Sequence, residues 1–187
     1  AGATSAALAE AGVPVTGTGE TANLASLQRL TANLATMFDQ AGPGKIARSA
    51  SVVENHVAGL LIGGGLPEPD AKAAKVTYAQ LLTMSAAAAD ELGDYTKAVQ
   101  NGQLAASVAT EVGDNETAGH AWRITAAAYR NMGRYRTALS LAHRAQEAAE
   151  NQPAGVGAHL EAACVEAHLG NVGRAFDAVT AAEQAHG

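Results

Sequence analysis

Several kinds of residue are scarce in this sequence, and each scarcity excludes a class of protein. A single cysteine, Cys164, excludes an intrachain disulfide and every metal motif that needs several cysteines. No apolar stretch approaches the roughly 18 residues of a membrane span, because the longest candidate, VAGLLIGGGL, is broken by three glycines. The chain is therefore predicted to be cytoplasmic, with no membrane among its partners.

Positive charge is also scarce. The chain has 12 Lys and Arg against 18 Asp and Glu, whereas proteins that wrap nucleic acid present a basic face. Five of the twelve basic residues fall between Arg123 and Arg144, yet helical spacing divides them between faces. We expect a solvated surface balanced by Glu147 and Glu150, and no direct nucleic-acid binding by this chain.

Aromatic residues make up only 4% of the chain, but alanine is abundant, a composition that favours closely packed helices. The alanines recur with a period. Gly93, Gly133 and Gly170 lie 40 and 37 residues apart, which is the length of a helical hairpin repeat. Each glycine is followed at +5 and +12 by a small residue: Ala98, Ala105, Ala138, Ala145, Ala175 and Ala182.

Apolar residues spaced three and four apart predict eight helices and no strand. The predicted helices form four antiparallel pairs: 21–40 with 45–62, 70–92 with 95–112, 115–132 with 134–151, and 155–169 with 171–186. The segment GGGLPEPD separates the first pair from the second, and Asp70 is the predicted N-cap of the next helix. Residues 1–19 are interpreted as a linker or cloning remnant, and residues 20–187 as one domain.

The unit around Gly133 carries the most specific motif. It has large, small and aromatic residues in a fixed order: Trp122, Ala126, Tyr129, Gly133, Tyr135, Ala138 and Ala145. This spacing resembles that of a tetratricopeptide repeat, and the units around Gly93 and Gly170 resemble it more weakly. The resemblance implies an all-α fold, a TPR-like right-handed superhelix of about four antiparallel helical hairpins.

The order of the pieces carries a second resemblance, over about residues 20–186. A helix LASLQRLTANLATMFDQAG, a glycine turn, a helix ending HVAGLL and alanine-rich repeats containing ELGDY and NMGRY follow one another. This order is similar to that of the C-terminal sensor region of actinobacterial XRE-type helix-turn-helix regulators. In that family a DNA-binding domain precedes a sensor and dimerisation region, whereas residues 1–19 here are too short and lack basic residues.

The tetratricopeptide resemblance also implies where a ligand would bind. In that family the first helix of each pair lines a concave groove, so the non-core positions of these helices are the candidate ligand-binding residues. Carried over position by position, the candidates are Arg29, Asn33, Met84, His120, Arg123, Ala127, Asn131, Glu161, Cys164 and His168. A peptide, a small signal molecule or a partner protein would occupy this groove.

Arg123 is the main charge in this predicted groove. Arg123 and Asn131 lie two helical turns apart with Ala127 between them, which would leave space for a bound group. The guanidinium could bind a carboxylate or phosphate through paired hydrogen bonds. It could equally pair with Glu161 of the next repeat, and the sequence leaves both alternatives open.

No constellation in the sequence predicts catalysis, a cofactor or a metal. The six histidines include no i, i+4 pair, and Cys164 with His168 lacks the third group of an activated nucleophile. Asp90 and Glu91 are adjacent carboxylates, which point in different directions on a helix and are interpreted as solvent-facing. We therefore expect neither an enzyme nor a cofactor.

These observations predict a non-catalytic binding module: the ligand- or protein-sensing part of a bacterial transcriptional regulator. The alternative is a constitutive protein-interaction scaffold with no small ligand. A homodimer is also expected, because the last helix carries an apolar stripe formed by Ala175, Phe176, Val179 and Ala182.

Overall fold

The computed structural model describes residues 20–150 and 152–186, so the predicted linker at 1–19 lies outside the described residues. This part of the chain is all-α and forms eight helices in sequence, as predicted. The helices are α1 (Glu20–Ala41), α2 (Pro43–Gly63), α3 (Glu68–Glu91), α4 (Tyr95–Val112), α5 (Asn115–Asn131), α6 (Tyr135–Ala148), α7 (Pro153–His168) and α8 (Val172–His186).

Three helices begin two residues earlier than predicted, and proline is the reason. Pro43 and Pro153 are the first residues of α2 and α7, where the missing proline N–H leaves no hydrogen bond unmade. α3 begins at Glu68, and Pro67 is its N-cap. The prediction that Asp70 caps this helix is therefore wrong. Asp70 instead lies in the first turn, where its negative charge interacts favourably with the positive end of the helix dipole.

Gly–Asp turns connect several of the helices. Gly93 and Gly113 have left-handed φ angles of 80° and 76°, which glycine adopts without a steric penalty. The following residues, Asp94 and Asp114, each cap the next helix by accepting a hydrogen bond from a backbone N–H three residues later, at 3.2 and 3.1 Å. The turn within a hairpin and the turn between hairpins therefore use the same local device.

The helices pack in two layers. Each helix contacts its neighbour in sequence, which gives the hairpin pairs α1–α2, α3–α4, α5–α6 and α7–α8. The odd-numbered helices also contact one another, α1 with α3, α3 with α5, and α5 with α7. Among the described residues the even-numbered helices make no such contacts with one another. We call the layer of α1, α3, α5 and α7 the odd-helix face.

Small side chains allow the close approach between helices. Ala98, Ala105, Ala138 and Ala145, which the repeat pattern singles out, are all completely buried. Gly102 of α4 faces α5 so closely that an added Cβ would collide with Thr125 Oγ1 and approach the Ala121 carbonyl oxygen at 3.3 Å. The core between these helices is therefore formed by closely packed small residues and not by large side chains.

Larger apolar residues are concentrated in the first hairpin. Leu24, Leu27, Val53 and Val57 form one buried cluster with Leu81 of the next hairpin. Trp122, which the repeat pattern marks as an anchor, packs against the clusters on both sides of α5. None of the described helices is both long enough and apolar enough to cross a membrane.

Gly102→Ala tests the close approach of α4 and α5. The added methyl group must displace the buried Thr125 side chain, so we expect a loss of about 1–3 kcal/mol in the free energy of unfolding. The matched control is Gly59→Ala in α2, where an added Cβ meets no atom within 4 Å. That variant should gain about 0.5–1 kcal/mol from helix propensity. Urea denaturation measures both, and equal stabilities would contradict the packing described here.

Candidate functional site

An ion pair between α5 and α7 organises the odd-helix face. Arg130 Nε donates to Glu161 Oε1 at 2.7 Å, and Arg130 Nη2 donates to Glu161 Oε2 at 3.4 Å. The Glu161 side chain is only 7% exposed. The hydrogen bond to Glu161 raises the pKa of Arg130 above its ordinary value, against the opposing effect of burial. Glu161 therefore has its partner, and that partner is Arg130.

The network continues from Arg130 to α3. Arg130 Nη1 donates to Asn131 Oδ1 at 3.0 Å, and Asn131 Nδ2 donates to the two carboxylate oxygens of Asp90 at 3.0 and 3.2 Å. A continuous chain of polar contacts, from Asp90 through Asn131 and Arg130 to Glu161, thus joins α3, α5 and α7. We call these four residues the polar network.

Asp90 and Glu91 differ in their surroundings. Glu91 is exposed, as predicted, but the interpretation of Asp90 as solvent-facing is wrong, because Asp90 is half-buried against Asn131. Burial raises the pKa of Asp90, while the hydrogen bond from Asn131 and the charges of Arg130 and Arg123 act in the opposite direction. Adjacent carboxylates look alike in the sequence, and only the packing of α3 against α5 separates them.

Arg130, and not Arg123, forms the hydrogen bonds to Glu161. Within residues 20–150 and 152–186, the Arg123 guanidinium makes no hydrogen bond and no ion pair. Its side chain is half-buried and lies over Gly157 of α7, where an added Cβ would come within 3.0 Å of Cδ and 3.2 Å of Nε. Burial lowers the pKa of Arg123, and the negative charges of Glu161 and Asp90 partly offset this effect. The group remains a cation with unused donors.

Two of the clefts contain predicted site residues, and Arg123 lines the larger of these, which we call the main cleft. It has a volume of about 1310 Å³ and opens where α6 joins α7, at the edge of the odd-helix face. Its walls come from α5, the end of α6 and the turn after it, the first half of α7 and the end of α8. They carry His120, Arg123, Glu147, Glu150, Val156 and Leu160. Charges of both signs therefore face the same space.

The second cleft has a volume of about 500 Å³ and lies between α1, α3 and α5. Met84 and Thr117 line it, and α1 contributes Thr31 and Ala35. His120 lines both clefts. Burial lowers the pKa of His120, and the nearby positive charge of Arg123 lowers it further, whereas Glu116 acts to raise it. His120 is therefore biased toward its neutral form.

The structure divides the ten predicted site residues into groups. Met84, His120 and Arg123 line the clefts, and Asn131 and Glu161 belong to the polar network. Ala127 is buried and lines neither cleft, so the space expected above it is not part of them. The remaining four are exposed and lie outside both clefts: Arg29, Asn33, Cys164 and His168.

Cys164 and His168 are neighbours that do not form a nucleophilic pair. The His168 Nδ1 hydrogen bond, at 2.7 Å, goes to the backbone oxygen of Cys164, and the His168 ring stacks on Tyr135 with 5.1 Å between centroids. Among the residues placed in the structure, no group of three His, Cys, Asp or Glu side chains could hold a metal ion.

The apolar stripe predicted on the last helix divides into two sides. Ala182 is buried at 3% exposure, whereas Phe176 is 70% exposed and Val179 is 38% exposed. Val172, at the start of α8, is 61% exposed. The small residues therefore close the stack, and the larger ones face outward.

Comparisons with known proteins were made with family models, with curated proteins and with solved structures. None of the three finds a match. No relative therefore suggests a ligand for either cleft.

The site contains residues that sequence reasoning missed. Asp90 was not among the predicted binding residues, and neither was Gly157, which makes room for the Arg123 side chain. The repeat in this chain gives no signal for Gly157, because Gly133 and Gly170 are 37 residues apart and that spacing aligns Arg123 with Leu160. No signal identifies Arg130 as the partner of Glu161 either.

The effect of Arg123 on His120 gives a direct test of this geometry. Arg123→Gln removes a nearby positive charge, so the pKa of His120 should rise toward its ordinary value while burial still holds it below that value. An NMR titration of the His120 ring measures the change. Arg144→Gln is the matched control, because Arg144 lies 3.8 Å over the Trp122 ring, and it should leave the pKa unchanged. A His120 pKa unaffected by Arg123→Gln would contradict the arrangement.

Proposed function

We propose that this chain is a non-catalytic sensor domain that binds an anionic group of a peptide or small signal molecule at Arg123. The observation that carries the proposal is the half-buried Arg123 guanidinium, whose donors are all unused by the described residues. A desolvated charge-assisted contact contributes about 1.5–3 kcal/mol, so such a group favours a carboxylate or phosphate ligand.

Sensing requires that the ligand bind two arrangements of the domain with different affinity. The main cleft has walls from both the third and the fourth hairpin, and Arg123 lies over Gly157 of the neighbouring hairpin. A ligand held there would favour one angle between α5 and α7. The polar network would then carry the change to α3, because it joins the three helices.

The role in a bacterial transcriptional regulator rests on the resemblance to the XRE-type sensor region. The same resemblance implies that the odd-helix face is concave and that the stack is a right-handed superhelix. The coding sequence upstream of Ala1 tests the role. A helix-turn-helix domain there supports it, and an unrelated catalytic domain contradicts it.

The alternative function is a constitutive interaction scaffold. The exposed apolar residues of α8 favour it. Val172, Phe176 and Val179 form an exposed apolar stripe on the terminal helix of the stack. Such a stripe suits an isologous contact with a second copy of this chain. The homodimer remains a proposal, which sizing in solution tests.

Ligand binding at Arg123 predicts a specific effect on thermal stability. Fractions of a culture extract, together with defined carboxylates and phosphates, are screened for compounds that raise the melting temperature of the domain. Arg123→Gln should weaken binding of each active compound about 10- to 100-fold. Arg48→Gln is the matched control, because Arg48 is exposed and lies outside both clefts.

Two outcomes count against this function. If no compound stabilises the wild-type domain, the scaffold is the better account. If compounds stabilise the wild-type and Arg123→Gln domains equally, ligands bind elsewhere on the molecule.

A further inference from the structure

The main cleft carries unpaired charges of both signs. Arg123 faces it from α5, Glu147 faces it from the end of α6, and Glu150 faces it from the turn that follows α6. Glu147 and Glu150 are exposed, and neither forms an ion pair with any residue in the described part of the chain. The opposite charges share one space but lie beyond the 4.0 Å that would let them neutralise one another directly.

The packing of α5 against α6 relates the backbone positions of these residues. Gly119 of α5 lies directly against Ala149, which precedes Glu150 in the chain. Arg123 is four residues further along α5, and a helix rises about 1.5 Å per residue, so the Arg123 backbone lies about 6 Å along the α5 axis from the point where Ala149 packs. A ligand that contacts both charges must therefore bridge α5 and the segment at the end of α6.

The surface in this cleft also includes apolar groups. Val156 and Leu160 lie on the α7 wall, and Leu160 is 45% exposed although it is a large apolar residue. An aliphatic or peptide segment could cover them and gain the free energy of apolar burial. The cleft thus presents a cation, an apolar wall and two carboxylates.

We propose that the ligand of the main cleft is a zwitterion, with a carboxylate bound by Arg123, an ammonium group bound by Glu147 and Glu150, and an apolar segment between them. This inference rests on the proposed function and specifies its ligand class. A peptide of about three residues, which spans about 10 Å when extended, carries a carboxylate, an ammonium group and a segment between them, and it serves as the probe.

Four forms of one tripeptide test the inference. Ala-Ala-Ala with free termini carries both charges, its N-acetylated form only the negative one, its C-terminal amide only the positive one, and the doubly blocked form neither. Binding of each to the ¹⁵N-labelled chain is measured from amide chemical shifts, which report weak binding. Acetate and inorganic phosphate serve as simple anion probes.

The free tripeptide should bind about two- to fivefold more tightly than its acetylated form, because Glu147 and Glu150 are exposed and such pairs are weak. Replacing both residues by Gln should abolish this margin, whereas the matched control Glu91→Gln, on the exposed end of α3, should retain it. Arg123→Gln should weaken the free and acetylated peptides about tenfold or more. The spectra of the variants show whether each one is folded.

The contrary outcomes separate this inference from the proposed function. Equal binding of the free and acetylated peptides overturns the zwitterion and leaves an anion site at Arg123. Tighter binding of the amide than of the free peptide overturns it as well, because the carboxylate would then contribute nothing. If neither the peptides nor acetate nor phosphate perturbs amides near Arg123, the proposed anion site is overturned together with the inference.

Discussion

The ion pair between Arg130 and Glu161 decides how the candidate site is arranged. A buried carboxylate without a partner is strongly unfavourable, so Glu161, at 7% exposure, requires a cation nearby. Arg130 supplies it through two hydrogen bonds and is itself connected to Asp90 through Asn131. Arg123, two turns earlier on the same helix, is thereby released to face the main cleft. The proposed anion site at Arg123 and its zwitterionic ligand both depend on this choice of partner.

Small residues are the second constraint, and they serve both the fold and the site. Buried alanines and Gly102 bring neighbouring helices close enough to form a core from short side chains. Gly157 has no side chain, and this leaves the space in which the Arg123 side chain lies. A larger residue at that position would press on Arg123 Cδ and Nε. The packing of the stack and the position of its unpaired cation therefore have a common origin.

The fold was predictable from the sequence because its signals are local. Each signal lies within a few residues: a glycine that ends a helix, an aspartate that caps the next, or a 3.6-residue apolar period. Together they predict the eight helices with errors of at most three residues at the helix ends. The site was predictable only in part. Arg123 and Arg130 are both within reach of Glu161, and side-chain geometry between hairpins selects Arg130. The main cleft likewise depends on how the last two hairpins meet, so the sequence placed the groove along the helices and not at their junction.

The central claim is that Arg130 holds Glu161 while Arg123 is unpaired, and the side-chain Nε–H groups of the two arginines report it most directly by NMR. Assignment follows from Arg123→Lys and Arg130→Lys. The Arg130 Nε–H should exchange slowly with water, and its chemical shift should stay unchanged when phosphate is added. The Arg123 Nε–H should exchange rapidly, and its chemical shift should change as phosphate is added. A protected Arg123 Nε–H that loses its protection in Glu161→Gln would show that Arg123 is the true partner of Glu161, and would contradict the account.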